Sequence, residues 1–361
     1  MVSKAPKEKI FIRSSIHDYW VSFGPVAGNK LGGTSIIDAN IKDLYFKDIN
    51  QGVHVIFSSE ENKNIESVLK IVDHLIINGL NKSDSVTVVG GGVVQDIATL
   101  ATAIYMRGIL WRFVPTTLQA MIDSCIGGKS SINHGGAKNI LGNFYPPTEI
   151  VIDVNFLSTL NEKDIICGLV EGAKICAASG AESLNHFLSR ANLLSNPYEK
   201  HEEALWNDLI EFVLLQKKKF IEEDEFDLGI RKLLNFGHTF GHALEASTNF
   251  AIPHGVAVGI GILISSEYSE SETNSISKVL NPFIERILEP VMSDYTTFLS
   301  SLDQSKYLGA LRQDKKSQHG NYNFILPTTN GLGLSREVIS NETDQRVLTA
   351  YKLVLKKWVS Q

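Results

Sequence analysis

The sequence predicts an α/β N-terminal domain built on a parallel sheet, followed by a mainly α-helical C-terminal domain. Three observations carry that expectation. The chain has 361 residues, enough for two domains at roughly 150 residues each. Up to Asn155, short β-branched runs alternate with helical stretches, the pattern of a parallel sheet with crossover helices. Beyond Asn155 such runs become scarce and helical spacing dominates. The expected domains are residues 1–158 and 159–361.

Taken in order, Ser85–Val89 (SVTVV) is a β-branched run ended by three glycines, as a buried strand should be. Val93–Met106 carries apolar residues at helical spacing, and Trp111–Val114 is a strand stopped by Pro115. Glu149–Asp153 (EIVID) is a further short strand. In the second half, helices are expected over Ser158–Ser179, Glu202–Glu223, Gly237–Ala246, Gly255–Glu270 and Asp344–Val359, with a strand at Asn323–Leu326.

Composition narrows the function classes. Hydrophobic residues make up 43% and charged residues 20%, an ordinary globular balance. Lys plus Arg is 34 and Asp plus Glu is 40, a net charge of -6 that gives no global reason to bind nucleic acid. Three cysteines, Cys125, Cys167 and Cys176, form neither a disulfide framework nor a zinc-ribbon spacing, so reduced thiols and a cytoplasmic location are expected. The stretch MVSKAPKEKI is polar and lysine-rich, so no secretory signal is expected. No apolar run approaches a membrane span.

Gly90, Gly91 and Gly92 follow a strand and open a helix. Without Cβ atoms the backbone can approach a pyrophosphate, and the helix start supplies N–H donors and a positive dipole end. The plainer possibility is a tight turn that binds nothing. Asp96 sits too early to be the ribose-binding acid of a dinucleotide fold.

His238 and His242 share a helix face at i, i+4, His254 follows at the start of the next helix, and Glu171 and Lys174 form an i, i+3 pair on an earlier one. Zinc prefers imidazole and carboxylate donors, and a catalytic site uses three protein ligands and an open position. Glu171, one or both of His238 and His242, and His254 could supply that set. Cations also occur in glycine-rich or apolar contexts: Arg107, Lys129, Lys138 and Arg231. Buried cations need anionic partners, and a phosphate or carboxylate substrate would be one. Lys217–Lys219 read as a solvated helix face.

These strings resemble the sugar-phosphate cyclases, and among them the dehydroquinate synthase branch. The resemblance rests on GGGVVQD, YMRG, VPTTL, DSCIGGKSSIN and KNILGNFYPP within Val88–Pro147. It continues through LVEGAK around Glu171, KKKFIEEDEFDLGIRKLLNFGHTFGHALE, PHG at 253–255 and Asp314-Lys315-Lys316. The resemblance implies a phosphate lyase of aromatic biosynthesis (the shikimate pathway), a homodimer that closes a carbocycle on 3-deoxy-D-arabino-heptulosonate 7-phosphate. In that scheme bound NAD oxidises a ring hydroxyl transiently while a metal polarises its oxygen; phosphate leaves by β-elimination, the hydride returns, and an intramolecular aldol closes the ring.

It further implies residue roles. Gly90, Gly91, Gly92, Asp96, Thr116, Thr117, Asp38, Glu60 and Lys63 would hold NAD. Glu171, His238 and His254 would bind Zn2+ or Co2+, leaving His242 for proton transfer or substrate contact. Lys129, Lys174, Asp123 and Asn139 would be catalytic. Arg107, Lys138, Lys217, Arg231, Asn235, Lys315 and Lys316 would surround the substrate. Three features depart from the family pattern: Gln95 replaces a glycine near the nucleotide, Val256 replaces a glutamate after His254-Gly255, and the loop Asn133–Lys138 has an unusual interior. The alternatives are a cyclase acting on sedoheptulose 7-phosphate, glucose 6-phosphate or an amino analogue, a metal-dependent polyol dehydrogenase, and a scaffold that has lost catalysis.

Overall fold

A computed structural model describes residues 9–26, 31–135, 137–195, 198–269, 275–313, 320–329 and 331–359. In chain order its elements begin with β1 (Ile10–Ile12), β2 (Tyr19–Phe23), β3 (Ser35–Asp38), α1 (Ala39–Tyr45), β4 (Val53–Ile56) and α2 (Ile65–Ile77). They continue with β5 (Ser85–Gly90), α3 (Gly92–Ile104), β6 (Leu110–Pro115), β7 (Lys129–His134), β8 (Ala137–Phe144) and β9 (Glu149–Ile152). Next come α4 (Glu162–Ala178), α5 (Ala181–Ala191), α6 (Glu203–Glu223), α7 (His238–Ser247), α8 (His254–Tyr268) and α9 (Ser275–Met292). The chain ends with α10 (Thr296–Ser300), α11 (Gln304–Gln313), β10 (Asn321–Thr328), β11 (Gly331–Val338) and α12 (Asn341–Leu355).

The chain divides into two compact units, Met1–Leu160 with Ser195–Phe226, and Asn161–Leu194 with Asp227–Gln361. The helix α6 belongs by its contacts with the first unit, although it lies beyond residue 158. It packs on β1 and on the turn before β7, and its Glu222 receives the backbone N–H and guanidinium of Arg13 at 2.9 and 3.2 Å.

The first unit is the expected α/β structure. Its sheet runs β1-β2-β9-β6-β5-β3-β4, parallel throughout except for the β1–β2 hairpin at one edge. β5 is buried at every residue after Ser85, which is why it reads as a continuous apolar run. The connection from β3 leads to β4 on one side and that from β5 to β6 on the other, so the order reverses between β3 and β5. At such a switch point the carboxyl ends of neighbouring strands open a crevice.

The second unit is helical around α4 and α8, with the β10–β11 hairpin beside them. α4 starts at Glu162, later than the expected Ser158, because Asn161 is the N-cap: its side chain accepts from the Asp164 N–H. Ser340 caps α12 in the same way, so that helix runs from Asn341 to Leu355 and stops short of Val359. α8 ends at Tyr268, and the expected final residue Glu270 lies outside the described residues. Among the described residues no helix is long and apolar enough to cross a membrane.

Glycines set the distance between three helices here. A Cβ on Gly261 would lie 2.1 Å from the Gly237 carbonyl oxygen, one on Gly241 2.9 Å from that of Ala257, and one on Gly255 2.3 Å from the Cα of Cys167. Backbones of α7 and α8, and of α8 and α4, therefore touch directly. Gly261→Ala should cost about 1–3 kcal/mol through overpacking. Gly309→Ala in α11 meets nothing within 4 Å and should instead stabilise by about 0.5–1 kcal/mol. Opposite shifts in thermal midpoint are the expected result; a fall in both would contradict the packing argument.

Candidate functional site

In the first unit, candidate residues collect at the carboxyl ends of β3, β5 and β6. A Cβ on Gly90 would lie 2.7 Å from the Val94 side chain and one on Gly91 2.9 Å from that of Thr117, whereas Gly92 faces open space. The first two glycines are thus required by packing, and the third leaves the start of α3 approachable. The Thr116 N–H donates to the Gly90 carbonyl at 3.0 Å, and Thr117 Oγ1 accepts from the Ala120 N–H at 3.2 Å. Asp38 is buried, and its Oδ1 accepts from the N–H groups of Asn40 and Ile41, capping α1.

A polar network links three more of the expected nucleotide residues to the β7–β8 hairpin. Lys63, 8% exposed, pairs with Asp96 at 2.6 Å and donates to Asn139 Oδ1 at 2.7 Å. The Ser131 N–H donates to Asp96 Oδ1, and its hydroxyl to Asn139 Oδ1. Glu60 accepts from Asn133 Nδ2 at 2.8 Å and pairs with Lys138 at 3.3 Å. Burial would raise Glu60, but the Asn133 hydrogen bond and the Lys63 and Lys138 ammonium groups outweigh it, so it titrates below the usual range. Asp96 is raised, because burial outweighs its Lys63 partner.

Two expectations are corrected here. Lys138 and Asn139 do not lie in a loop: they begin β8, in a hairpin with a bulge between Ile132 and His134. The alternation of Ser, Asn and Gly along it hid the strand pattern. Lys217 is not a solvated residue. It is 5% exposed, pairs with Asp123 Oδ1 at 2.6 Å, and donates to the carbonyl oxygens of Asp123 and Ile126 at 2.5 and 3.0 Å.

Arg107 and Lys129 are exposed. Arg107 lies in a turn at φ 61, with its carbonyl accepting from Lys82, while Lys129 Nζ sits 6.0 Å from the Phe144 ring centre. Lys315 and Lys316 lie outside the described residues.

The second unit contains a concentrated donor cluster. Glu171 on α4 is fully buried, and its Oε2 meets Lys174 Nζ at 2.5 Å. Its Oε1 lies 3.3 Å from His254 Nε2 and 3.9 Å from His238 Nε2. The three imidazoles pack with centroids 5.2–5.6 Å apart, and one nitrogen from each lies within 4.8 Å of the others.

On two of the rings the other nitrogen is already engaged. His238 Nδ1 contacts the Phe236 carbonyl at 3.3 Å, and His254 Nδ1 meets Glu245 Oε2 at 3.0 Å. Carbonyl or carboxylate on Nδ1 leaves Nε2 directed into the cluster, the arrangement that metal-binding histidines use. Burial would depress His254, but Glu245 and Glu171 more than offset it, and its pKa stands at about 10.

Ligand atoms around a tetrahedral zinc are roughly 3.3–3.6 Å apart. The 3.3 Å between Glu171 Oε1 and His254 Nε2 falls in that range, and the 3.9 Å to His238 Nε2 is longer. The nitrogens of His238, His242 and His254 lie within 4.8 Å of one another, so the imidazole and carboxylate donors gathered here suit such an ion in kind, with His242 as close to the group as the others. Arg231, 3% exposed, and Asn235 occupy the short 3-10 turn Ile230–Asn235 that leads into α7. Asn235 Nδ2 donates to the Lys232 carbonyl at 3.1 Å.

Glu245 had gone unnoticed in the sequence. The available signal was its place two turns after His238 on the same helix face, at i+7. Val256 is fully buried in the first turn of α8, so its departure places an apolar side chain in the core.

Comparison with known proteins adds two family profiles: 3-dehydroquinate synthase N-terminal, matching residues 53–167, and 3-dehydroquinate synthase C-terminal, matching residues 168–317. A 3-dehydroquinate synthase of Alkaliphilus metalliredigens strain QYMF is 33% identical over 349 residues, covering 92% of this chain and 95% of that protein. Among solved structures, a 2-epi-5-epi-valiolone synthase from Streptomyces hygroscopicus subsp. jinggangensis with NAD+ and Zn2+ bound superposes with a TM-score of 0.79. It is 25% identical, over 94% of this chain and 97% of that one. A 2-deoxy-scyllo-inosose synthase complexed with carbaglucose-6-phosphate, NAD+ and Co2+ shares the fold at a TM-score of 0.77 and 19% identity, over 96% and 99% of the two chains.

The Glu245–His254 contact yields a test that needs no turnover. Removing the carboxylate in Glu245→Ala should weaken Zn2+ binding about 10–100-fold, measured by competition with a chromophoric chelator. Glu245→Gln, which keeps an acceptor oxygen, should fall between. Unchanged affinity in both variants would show that His254 needs no such support.

Proposed function

The chain belongs to the 3-dehydroquinate synthase family, and from that premise we propose how its residues serve the reaction. The substrate is 3-deoxy-D-arabino-heptulosonate 7-phosphate and the products are 3-dehydroquinate and inorganic phosphate. The carbon–oxygen bond to phosphate breaks, a carbon–carbon bond closes the ring, and no net oxidation occurs. The observation that carries this reading is the cluster of buried Glu171 and Lys174 with three half-buried histidines in the unit that also holds Arg231 and Asn235.

When bound, NAD accepts and returns one hydride and the metal acts as a Lewis acid on the oxygen being oxidised. Residues 1–158 hold the nucleotide: Gly90, Gly91, Gly92, Thr116 and Thr117 at the strand ends, with Asp38, Glu60, Lys63 and Asp96 behind them. Glu171, His238 and His254 hold Zn2+ or Co2+ within residues 159–361.

Lys174 compensates the charge on the second oxygen of Glu171, whose own side chain is shut off from water. His242 moves a proton at a substrate oxygen. Arg231 and Asn235 grip the substrate carboxylate, Arg231 through its planar fork. Lys129, Lys138, Lys217 and Arg107, with Lys315 and Lys316, neutralise the phosphate and order hydroxyls together with Asp123. Asn139 holds the hairpin through Lys63 and Ser131. The enzyme acts as a homodimer in the cytoplasm, a compartment in keeping with three buried cysteines that are not joined in disulfides.

Phosphate should be released from 3-deoxy-D-arabino-heptulosonate 7-phosphate in the presence of NAD and Zn2+, stop on chelation, and resume when Zn2+ or Co2+ is restored. No NADH should accumulate. Release from sedoheptulose 7-phosphate alone would assign the chain to a different cyclase activity, and sustained NADH production from a simple polyol to a dehydrogenase.

Arg231→Ala should raise KM for the carboxylate-bearing substrate about 10–100-fold, the worth of a charge-assisted pair. Arg231→Lys should recover part of that loss. An unchanged KM in a folded Arg231→Ala protein would remove the carboxylate-clamp role.

A further inference from the structure

We propose that Gln95 is a positioning residue for the Asp123–Lys217 pair, a role that rests on the reading that this pair meets the substrate. Its place in the sequence, three residues past the glycine turn, points toward the nucleotide, but the geometry points elsewhere. Gln95 lies on α3 and is 2% exposed. Its side-chain amide engages Ser124 at both ends: Nε2 donates to the Ser124 carbonyl at 2.7 Å, and Oε1 accepts from the Ser124 hydroxyl at 2.6 Å. A donor and an acceptor of one amide matched by one residue fix its position and orientation together.

Ser124 closes the π-helical turn Ala120–Ser124, in which the Cys125 N–H reaches back to the Ala120 carbonyl at 3.1 Å. Such turns are rare and are frequently found at functional sites. Asp123 precedes Ser124 and holds Lys217 by its carboxylate and its carbonyl, while the Ile126 carbonyl takes a third bond from the same ammonium. Residues 123–126 are therefore held by α6 through Lys217 and by α3 through Gln95. Removing Gln95 removes the tie of this turn to α3, and Asp123 then loses part of the fixed direction that a substrate hydroxyl would meet. Preorganisation of this kind shows in substrate affinity, because a loosened group must be ordered again on binding.

Two variants and their combination test this in the full-length enzyme loaded with Zn2+. Each is assayed for kcat and KM by phosphate release, and for NADH affinity by fluorescence titration. Gln95→Ala should raise substrate KM about tenfold with kcat within about threefold and NADH affinity within about twofold of the parent. Ser124→Ala deletes only a hydroxyl and folds even where Gln95→Ala does not; it should raise KM about threefold, again with NADH unaffected. The double variant should be no worse than Gln95→Ala, since both act through one contact.

Weakened NADH binding with an unchanged substrate KM would overturn the proposal and make Gln95 a nucleotide contact. Unaltered kinetics with lowered thermal stability would reduce it to packing, and full additivity would break the link to Ser124. The substrate used is whichever of the heptulosonate or sedoheptulose phosphates the wild-type chain turns over. Activity with the second alone refutes the substrate assignment while the effect of Gln95 is still measured. A wild-type chain inert with both sinks the positioning role along with the activity.

Discussion

The second unit is organised by one buried carboxylate. Glu171 is excluded from water on α4, and an isolated ionised carboxylate there would carry a prohibitive desolvation cost. It is tolerable because Lys174 lies one turn along the same helix, at 2.5 Å, and because imidazoles reach it from two other elements. That reach depends on helix spacing. Gly237 and Gly241 beside α8, and Gly255 and Gly261 on it, let backbones approach to distances at which a Cβ would collide. With larger residues at these positions the helices would stand apart and the histidine nitrogens would fall short of Glu171. The donor cluster is thus as much a product of absent side chains as of those present.

Glu245 extends the same logic outward. An imidazole beside a carboxylate can turn about χ2 and present either nitrogen. The Glu245 carboxylate on His254 Nδ1 and the Phe236 carbonyl on His238 Nδ1 remove that choice. The buried carboxylate therefore receives two rings that are already oriented, and the entropy of arranging them is lost on folding and not on ligand binding.

Legibility from the sequence followed the range of the forces involved. β5, β6 and β9 were readable because central strands covered on both faces are mostly apolar; their charged residues, Arg112 and Glu149, lie near the starts of β6 and β9 and pair with each other. The histidines and Glu171 stood out because their chemistry is unusual and their helical spacing is local. The β7–β8 hairpin was hidden by polar residues that serve the Lys63–Asp96–Asn139 network. α9 was hidden by Pro282 and Pro290, which read as helix breakers, while Ile276, Leu280, Phe283, Ile284, Leu288 and Val291 are its buried side chains. Membership of α6 in the first unit depends on partners such as Arg13 and Asp123, distant in sequence, and no local periodicity reports them. At Lys217 the local charge pattern pointed to solvent, whereas the structure buries it against Asp123.

The lysines, Lys138 among the cations singled out in the sequence and Lys63, Lys174 and Lys217 besides, bear on an argument that the sequence makes attractive. A cation in an apolar or glycine-rich context needs an anion, and the substrate was the natural candidate. In the structure Lys63 meets Asp96, Lys138 meets Glu60, Lys174 meets Glu171 and Lys217 meets Asp123. The chain supplies these anions itself, which is how a protein of net charge -6 keeps three of the four buried. A buried lysine is therefore weak grounds for an anionic ligand, since an internal carboxylate satisfies the same electrostatic demand. What distinguishes a substrate-binding cation from a structural one is whether its partner can be joined or replaced by a ligand group without leaving a charge stranded. For Lys174 the partner, Glu171, has no exposure to water, so a ligand group there would have to join the pair and not replace it. Lys129 is exposed, with its Nζ 6.0 Å from the centre of the Phe144 ring, so a ligand group can reach it from solvent and join whatever it already meets.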